Sequence, residues 1–264
     1  MTYTSAIFLG IIQGLTEFIP VSSSGHLVLF RRVFGIEEAP LLLDTLLHAG
    51  TLVAAVAALR KDLASMLRRP FQRLTLQLAV ATVPAVVAAI LLKDPVEEIF
   101  ATGKFLEWGF LSTAAVLFLS ERAFRRRVTV RSTEEATIAD ASAIGLLQGF
   151  AILPAVSRSG LTIAGALFRG WDRSFAARFS FLLSIPAILG AVVFQIPDFA
   201  EALRAGGIPG PVLAGSLTAA IVGFLAVTGM VRLIRERSLR GFSVYLAVLG
   251  ALVFLDRHVI HMFF

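Results

Sequence analysis

The sequence predicts an all-α polytopic membrane protein, with six transmembrane helices plus two re-entrant helix hairpins arranged as an inverted-topology repeat. Three observations predict it. Of 264 residues, 57% are hydrophobic and only 16% charged, where a soluble domain carries about 25% charged residues. Several apolar windows approach the ~20 residues that span a bilayer as a helix. Two polar knots interrupt this background: QGLTEFIPVSSSGH at 13–26 and QGFAILPAVSRSGLT at 148–162. Hydrocarbon tolerates broken backbone only where protein buries it or a wet cavity receives it. Two breaks in corresponding places of two halves point to one site shared between repeats.

In chain order, the first knot sits within an apolar stretch at about 4–30, read as a helix–break–helix hairpin because Pro20 ends the preceding helix. Spans follow at about 41–59, 74–92 and 105–121. The second knot makes the hairpin at about 140–168, broken at Pro154, and spans follow at about 174–195, 211–233 and 241–260. The chain is thus one membrane domain, 1–264, with repeats at about 1–122 and 136–264.

Connectors set the orientation. Arg60, Lys61, Arg68, Arg69 and Arg73 crowd the 60–73 loop. Arg122, Arg125, Arg126, Arg127 and Arg131 crowd 122–131, and Arg232, Arg235, Arg237 and Arg240 crowd 232–240. If both hairpins are re-entrant, all three connectors fall on one side, which the positive-inside rule makes cytoplasmic. The first hairpin then enters from outside and the second from the cytoplasm. Each half has three spans, an odd number, so the halves are inverted and their tips meet near the midplane. The net charge of +6 is therefore a topological signal, and no nucleic-acid partner is expected. The absence of cysteine excludes disulfides and thiolate metal sites. No cleavable signal peptide is evident, since the first apolar run flows straight into the polar knot.

The knots carry the chemistry. Gln13 and Glu17 are one helical turn apart and share a face. A charge at membrane depth costs ~3 kcal/mol or more, which makes Glu17 a functional candidate. Ser22, Ser23, Ser24 and His26 follow. One serine suffices to cap the next helix, and the histidine is read either as an acid/base partner of Glu17 or as a satisfied core residue. In the second knot, Ser157, Arg158, Ser159 and Thr162 surround Gly160, which permits close backbone approach. Arg158 offers a planar fork for phosphate oxygens, unless it pairs with a structural carboxylate, for which Glu17 is itself a candidate. A helix starting near Gly160 would aim free N–H groups at an anion. Together the loops describe a phosphoryl-transfer site at membrane depth, so the phosphate arrives on a lipid.

At these residues the chain resembles the undecaprenyl-pyrophosphate phosphatase, or bacitracin-resistance protein, family. The resemblance rests on Gln13–Glu17 with PVSSSGH at 20–26, PAVSRSGLT at 154–162, LHAGTLVAAV at 47–56 and AARFSFLLSIPAILGA at 176–191. Gln13 stands where many relatives carry a first glutamate, and Ala155 replaces the glycine after the proline. The resemblance implies removal of the terminal phosphate from undecaprenyl pyrophosphate, six spans with two re-entrant hairpins, and a site open to the outer side of the bacterial cytoplasmic (inner) membrane. It also implies a divalent cation, Mg2+ or Ca2+, for which Glu17 is the one carboxylate in the motif. Expected partners are the lipid-linked pyrophosphate and the bilayer, with a homodimer left open.

The expected catalytic set is Glu17, Ser23, His26 and Arg158. Gln13, Ser22, Ser24, Ser157, Ser159, Gly160 and Thr162 are expected around the phosphates. Ser23 is the expected nucleophile, activated by His26 or Glu17; a water oriented by Glu17, with His26 protonating the leaving group, is the rival. A polyprenyl-phosphate transporter is the alternative function, because inverted repeats with broken helices also build transporters. His48, one turn from Asp44, is read equally as a support for the site or as a packed residue. The copies divide the labour: Ser23 aligns with Arg158, His26 with Leu161, and Glu17 with Ile152.

Overall fold

In a computed structural model, the described residues are 1–36, 41–92, 95–96, 99, 103–196, 199–200, 204 and 207–264, and the side chain of Leu41 is outside the description. Among them are eleven α-helices: α1 (Tyr3–Thr16), α2 (Ser23–Val33), α3 (Leu41–Ala58), α4 (Arg60–Arg68), α5 (Arg73–Leu91), α6 (Leu106–Arg125), α7 (Ile138–Phe150), α8 (Arg158–Phe168), α9 (Arg173–Phe194), α10 (Gly210–Glu236) and α11 (Arg240–Leu255).

The all-helical class expected from the sequence is what forms. Four helices are long and apolar enough to cross a membrane: Arg73–Leu91, Arg173–Phe194, Gly210–Glu236 and Arg240–Ile260. A fifth counts if α3 and α4, bent by 72° at their junction, are taken as one span. The window at 105–121 forms the 20-residue α6, but Glu107 near its start and Glu121, Arg122 and Arg125 near its end keep it from qualifying on composition alone. Its middle, from Trp108 to Ser120, carries no charge.

Local chemistry starts the helices where the sequence changes character. Thr137 and Asp140 form a reciprocal capping box on α7, and Asp172 accepts the Ser174 and Phe175 N–H groups at the start of α9. The hairpin arms close on each other at their open ends. Phe8 of α1 meets Phe30 and Phe34 of the α2 end edge-on, at 5.4 and 5.2 Å. At the second hairpin, Asp140 accepts from Arg169 at 2.5 Å.

The two hairpins exchange partners. α1 lies along α10, whereas α7 lies along α5; α6 pairs with α11, and α3 with α10. Close backbone approach makes the α10 seam. A Cβ on Gly10 would sit 2.4 Å from the Gly215 carbonyl oxygen, and one on Gly50 of α3 would sit 2.3 Å from that of Ser216. Backbone cannot give way as a flexible side chain does. Gly50→Ala is therefore expected to destabilise the fold by about 1–3 kcal/mol, measured as a lower thermal midpoint in detergent; an unchanged midpoint would show that the seam is loose.

The arginine-rich connectors gather at one end of the bundle. Glu121, fully buried, accepts from Arg173 at 2.7 Å, Arg125 at 2.8 Å and the Leu239 N–H at 3.2 Å. Asp140, also fully buried, pairs with Arg131 at 2.9 Å besides Arg169, and Arg178 of α9 grips Asp62 of α4. At the other end, Arg31 pairs with Asp44, and Arg257 lies 3.2 Å from Glu107.

Candidate active site

The twin knots fold into twin caps. In the first, Ser22 adopts φ +71° and its Oγ accepts the Gly25 N–H at 3.3 Å, starting α2. In the second, Ser157 Oγ accepts the Gly160 N–H at 3.0 Å, starting α8. The following hydroxyls repeat the match: Ser22–Ser24 and Ser157–Ser159 oxygens are both 3.3 Å apart. The tight turn falls differently in the two copies, on Ser22 in one and on Ala155, at φ +61°, in the other. A non-glycine residue there carries roughly 1–2 kcal/mol of strain. Packing holds it, because Ala155 is fully buried and Gly109 of α6 leaves no room between itself and the Pro154 carbonyl, 2.3 Å from where a Cβ would stand.

The tips touch: Ser159 Oγ donates to the Ile19 carbonyl at 3.1 Å. Between them lies a cavity of about 270 Å³, near the small end for ligand sites and so suited to a headgroup rather than a whole lipid. Its polar side is Glu17, Ser22–Ser24, His48 and Ser157–Ser159. Its apolar side is Val96, Ile152, Val156, Ala187, Ile188 and Ala191. Both α2 and α8 begin here, and the Ser23, Ser24, Arg158 and Ser159 N–H groups have no acceptor among the described residues. Two helix N-termini thus turn their positive ends on one space.

Glu17, 7% exposed, is the hub. Its Oε1 accepts from Arg158 Nη2 at 2.6 Å. Its Oε2 accepts from Ser23 Oγ at 2.6 Å and from Gln13 Nε2 at 3.0 Å. Arg158 Nη1 also reaches the Ser180 carbonyl at 3.4 Å. Of the two readings of Arg158, the structure shows the pairing with Glu17, and the pair lies inside the cavity rather than away from it.

Other expected site residues are placed differently. His26 does not line the cavity. Its Nδ1 donates to the Ser22 carbonyl at 2.7 Å, which leaves Nε2 to accept from the Tyr245 hydroxyl of α11 at 2.8 Å. The ring stacks on Tyr245 at 16° and meets the edge of Phe110. Both nitrogens are thus engaged behind the cavity wall, the satisfied-core alternative. Thr162 gives its hydroxyl to the Arg158 carbonyl at 2.8 Å and lies 2.6 Å from Ser180 Oγ, binding α8 to α9. The Gly160 N–H is used by its cap, and Gln13 backs Glu17 from outside the lining.

His48 is the histidine that faces the cavity. Its Nδ1 donates to the Asp44 carbonyl at 2.8 Å, and its Nε2 is 4.0 Å from Glu17 Oε2. Thr113, which receives the Ser157 N–H at 3.0 Å, Ser180 and Tyr245 had no signal in the sequence; all three come from helices remote in the chain.

For a divalent cation, no group of three or more His, Cys, Asp or Glu side chains gathers among the described residues. The donor set that fits is smaller: the Glu17 carboxylate, which lines the cavity, and behind it the amide oxygen of Gln13, buried without a hydrogen-bond partner among the described residues. Two hard oxygens suit Mg2+ or Ca2+ when substrate phosphates complete the shell.

The family model described as Bacitracin resistance protein BacA matches residues 6–252. The chain belongs to this family. Similar curated proteins include an "Undecaprenyl-diphosphatase" from Carboxydothermus hydrogenoformans, 44% identical over 96% of this chain and 97% of its own. An "Undecaprenyl-diphosphatase 4" from Bacillus cereus is 43% identical over 96% of each, and an "Undecaprenyl-diphosphatase" from Methanobrevibacter smithii is 37% identical over the full length of both. Both knots, and so the whole cavity, lie inside the stretch matched to the family.

Tyr245→Phe removes the hydroxyl that His26 Nε2 contacts among the described residues and leaves a buried acceptor unpaired, a loss of about 1–3 kcal/mol. The expected result is a lower thermal midpoint with an unshifted pH–rate profile, and His26→Gln should likewise leave the profile's shape intact. A limb of the profile that vanishes in His26→Gln would make His26 an acid/base group instead.

Proposed function

We propose that this membrane protein hydrolyses undecaprenyl pyrophosphate to undecaprenyl phosphate and inorganic phosphate, regenerating the lipid carrier for cell-wall polymers. Such recycling would deprive bacitracin, to which the family's name refers, of its lipid target. One observation carries the reading: a serine hydroxyl 2.6 Å from a buried carboxylate, in a cavity that an arginine, a histidine, further serine hydroxyls and two helix N-termini also line. Carriage of a polyprenyl phosphate needs binding alone and leaves the Ser23–Glu17 bond without a task.

In this mechanism the terminal phosphate displaces the Glu17–Arg158 contact and takes the Arg158 fork together with the free N–H groups of α2 and α8. Ser23 Oγ attacks the terminal phosphorus as its proton passes to Glu17 Oε2. The anhydride P–O bond breaks, and undecaprenyl phosphate leaves with the bonding pair. A water then displaces Ser23 from phosphorus; the proton held by Glu17 returns to Ser23 Oγ, Glu17 accepts one from the water, and this proton leaves with the departing phosphate or to solvent, restoring the carboxylate. Preorganised positive charge around the transferring group supplies most of the acceleration. A cation held by Glu17, Gln13 and the substrate would neutralise the charge that one arginine leaves.

We further read the fold as six spans with α1–α2 and α7–α8 as re-entrant hairpins, in repeats at about 1–122 and 136–264. The exchanged packing of α1 on α10 and α7 on α5 supports inverted halves. The cavity's apolar side climbs α9 to Ala191, away from the Arg173 end where the arginine-rich connectors gather. This supports a site facing the outer side of the cytoplasmic membrane.

The test is phosphate release from undecaprenyl pyrophosphate in detergent micelles, which have no two sides. The expected result is release that a chelator suppresses and Mg2+ or Ca2+ restores. Lipid binding without phosphate release would refute the phosphatase reading, and release indifferent to the chelator would refute the cation.

A further inference from the structure

Helix α4 turns 72° from α3, so where α3 crosses the bilayer, α4 runs close to the membrane plane. Its inner edge is fixed: Leu63 and Met66 pack on the core, and Asp62 receives Arg178 from α9. The rest of its surface is bare. Arg60, Lys61, Arg68 and Arg69 are exposed, and beside them Leu67 is 83% and Phe71 86% exposed.

Many of the other exposed apolar side chains lie along the long helices, where acyl chains cover them, although Val128 and Val130 of the connector after α6 are bare as well. Leu67 and Phe71 instead stand at the end of the bundle where the arginines gather. Four cations around two bare apolar side chains match one surface: anionic headgroups at the boundary with their own acyl chains. An amphipathic basic helix binds there by burying its apolar edge and attracting the charge, and each cation near such a surface contributes ~1 kcal/mol. Arg73 is left out, since it donates to the Glu134 carbonyl at 2.5 Å.

We propose that α4 and the turn to Phe71 form a docking surface for anionic phospholipid of the cytoplasmic leaflet. The proposal rests on the spanning arrangement above and is independent of the reaction.

Amide hydrogen exchange of the 60–71 segment tests it, with the full chain in nanodiscs of phosphatidylcholine, with or without phosphatidylglycerol. The expected result is slower exchange when phosphatidylglycerol is present. Arg68→Gln and Arg69→Gln should each weaken the lipid's apparent affinity about fivefold, with phosphate release unchanged in both. Exchange indifferent to phosphatidylglycerol, or equally slowed by inorganic phosphate in phosphatidylcholine discs, overturns the proposal. Phosphate release measured on the same samples separates failure of the docking surface from failure of the phosphatase reading.

Discussion

Ser23→Ala is expected to lower phosphate release by about 10³-fold or more, the scale on which a covalent nucleophile is lost. The fold should survive the change. Ser22, not Ser23, caps α2, and Glu17 keeps Arg158 and Gln13 after losing one hydroxyl. A deficit in turnover with an intact thermal midpoint therefore reports on chemistry. Binding should persist, because Arg158 and the helix N-termini that receive the phosphate remain. Steady-state release by the purified variant in micelles decides it, and near-normal turnover would remove Ser23 from the mechanism.

Arg158→Lys is expected to lower kcat/KM by about 100-fold, the scale of removing one preorganised donor of charge. An ammonium keeps the charge but loses the planar fork, which now spans Glu17 Oε1 at 2.6 Å and the Ser180 carbonyl at 3.4 Å. Arg158→Ala goes further. It strands the Glu17 carboxylate, whose side chain is 6% exposed against 15% for Arg158, and breaking a buried pair in this way costs about 3–5 kcal/mol. A lowered thermal midpoint is thus expected in the alanine variant and little change in the lysine variant. Wild-type kcat/KM in Arg158→Lys would mean that the guanidinium serves Glu17 rather than the phosphate.

The twin spacing of Gln, Pro, Ser and Gly was enough to foresee two broken helices, because proline and a serine cap act within a few residues of themselves. It also picked out Glu17, Ser23 and Arg158, each conspicuous as a polar group in an oily stretch. What lay beyond reach were contacts made between distant helices. Nothing near His26 in the chain separates its two readings, because the group that holds its second nitrogen, Tyr245, is 219 residues on. His48 is conspicuous only because the pitch of α3 brings its Nε2 toward Glu17. Thr162 sits in the motif, yet the Arg158 carbonyl and Ser180 Oγ engage its hydroxyl. The bend between α3 and α4 has no proline or glycine at Ala58–Arg60 to announce it. Local rules thus located the loops, and packing decided which of their side chains face the cavity.

The most direct measurement is a rapid acid quench of the enzyme turning over undecaprenyl pyrophosphate labelled in its terminal phosphate. The expected result is label bound to protein as phosphoserine, mapped to Ser23 and absent from Ser23→Ala. Full turnover with no labelled protein at any quench time would contradict it, and would give the attack to a water held by Glu17.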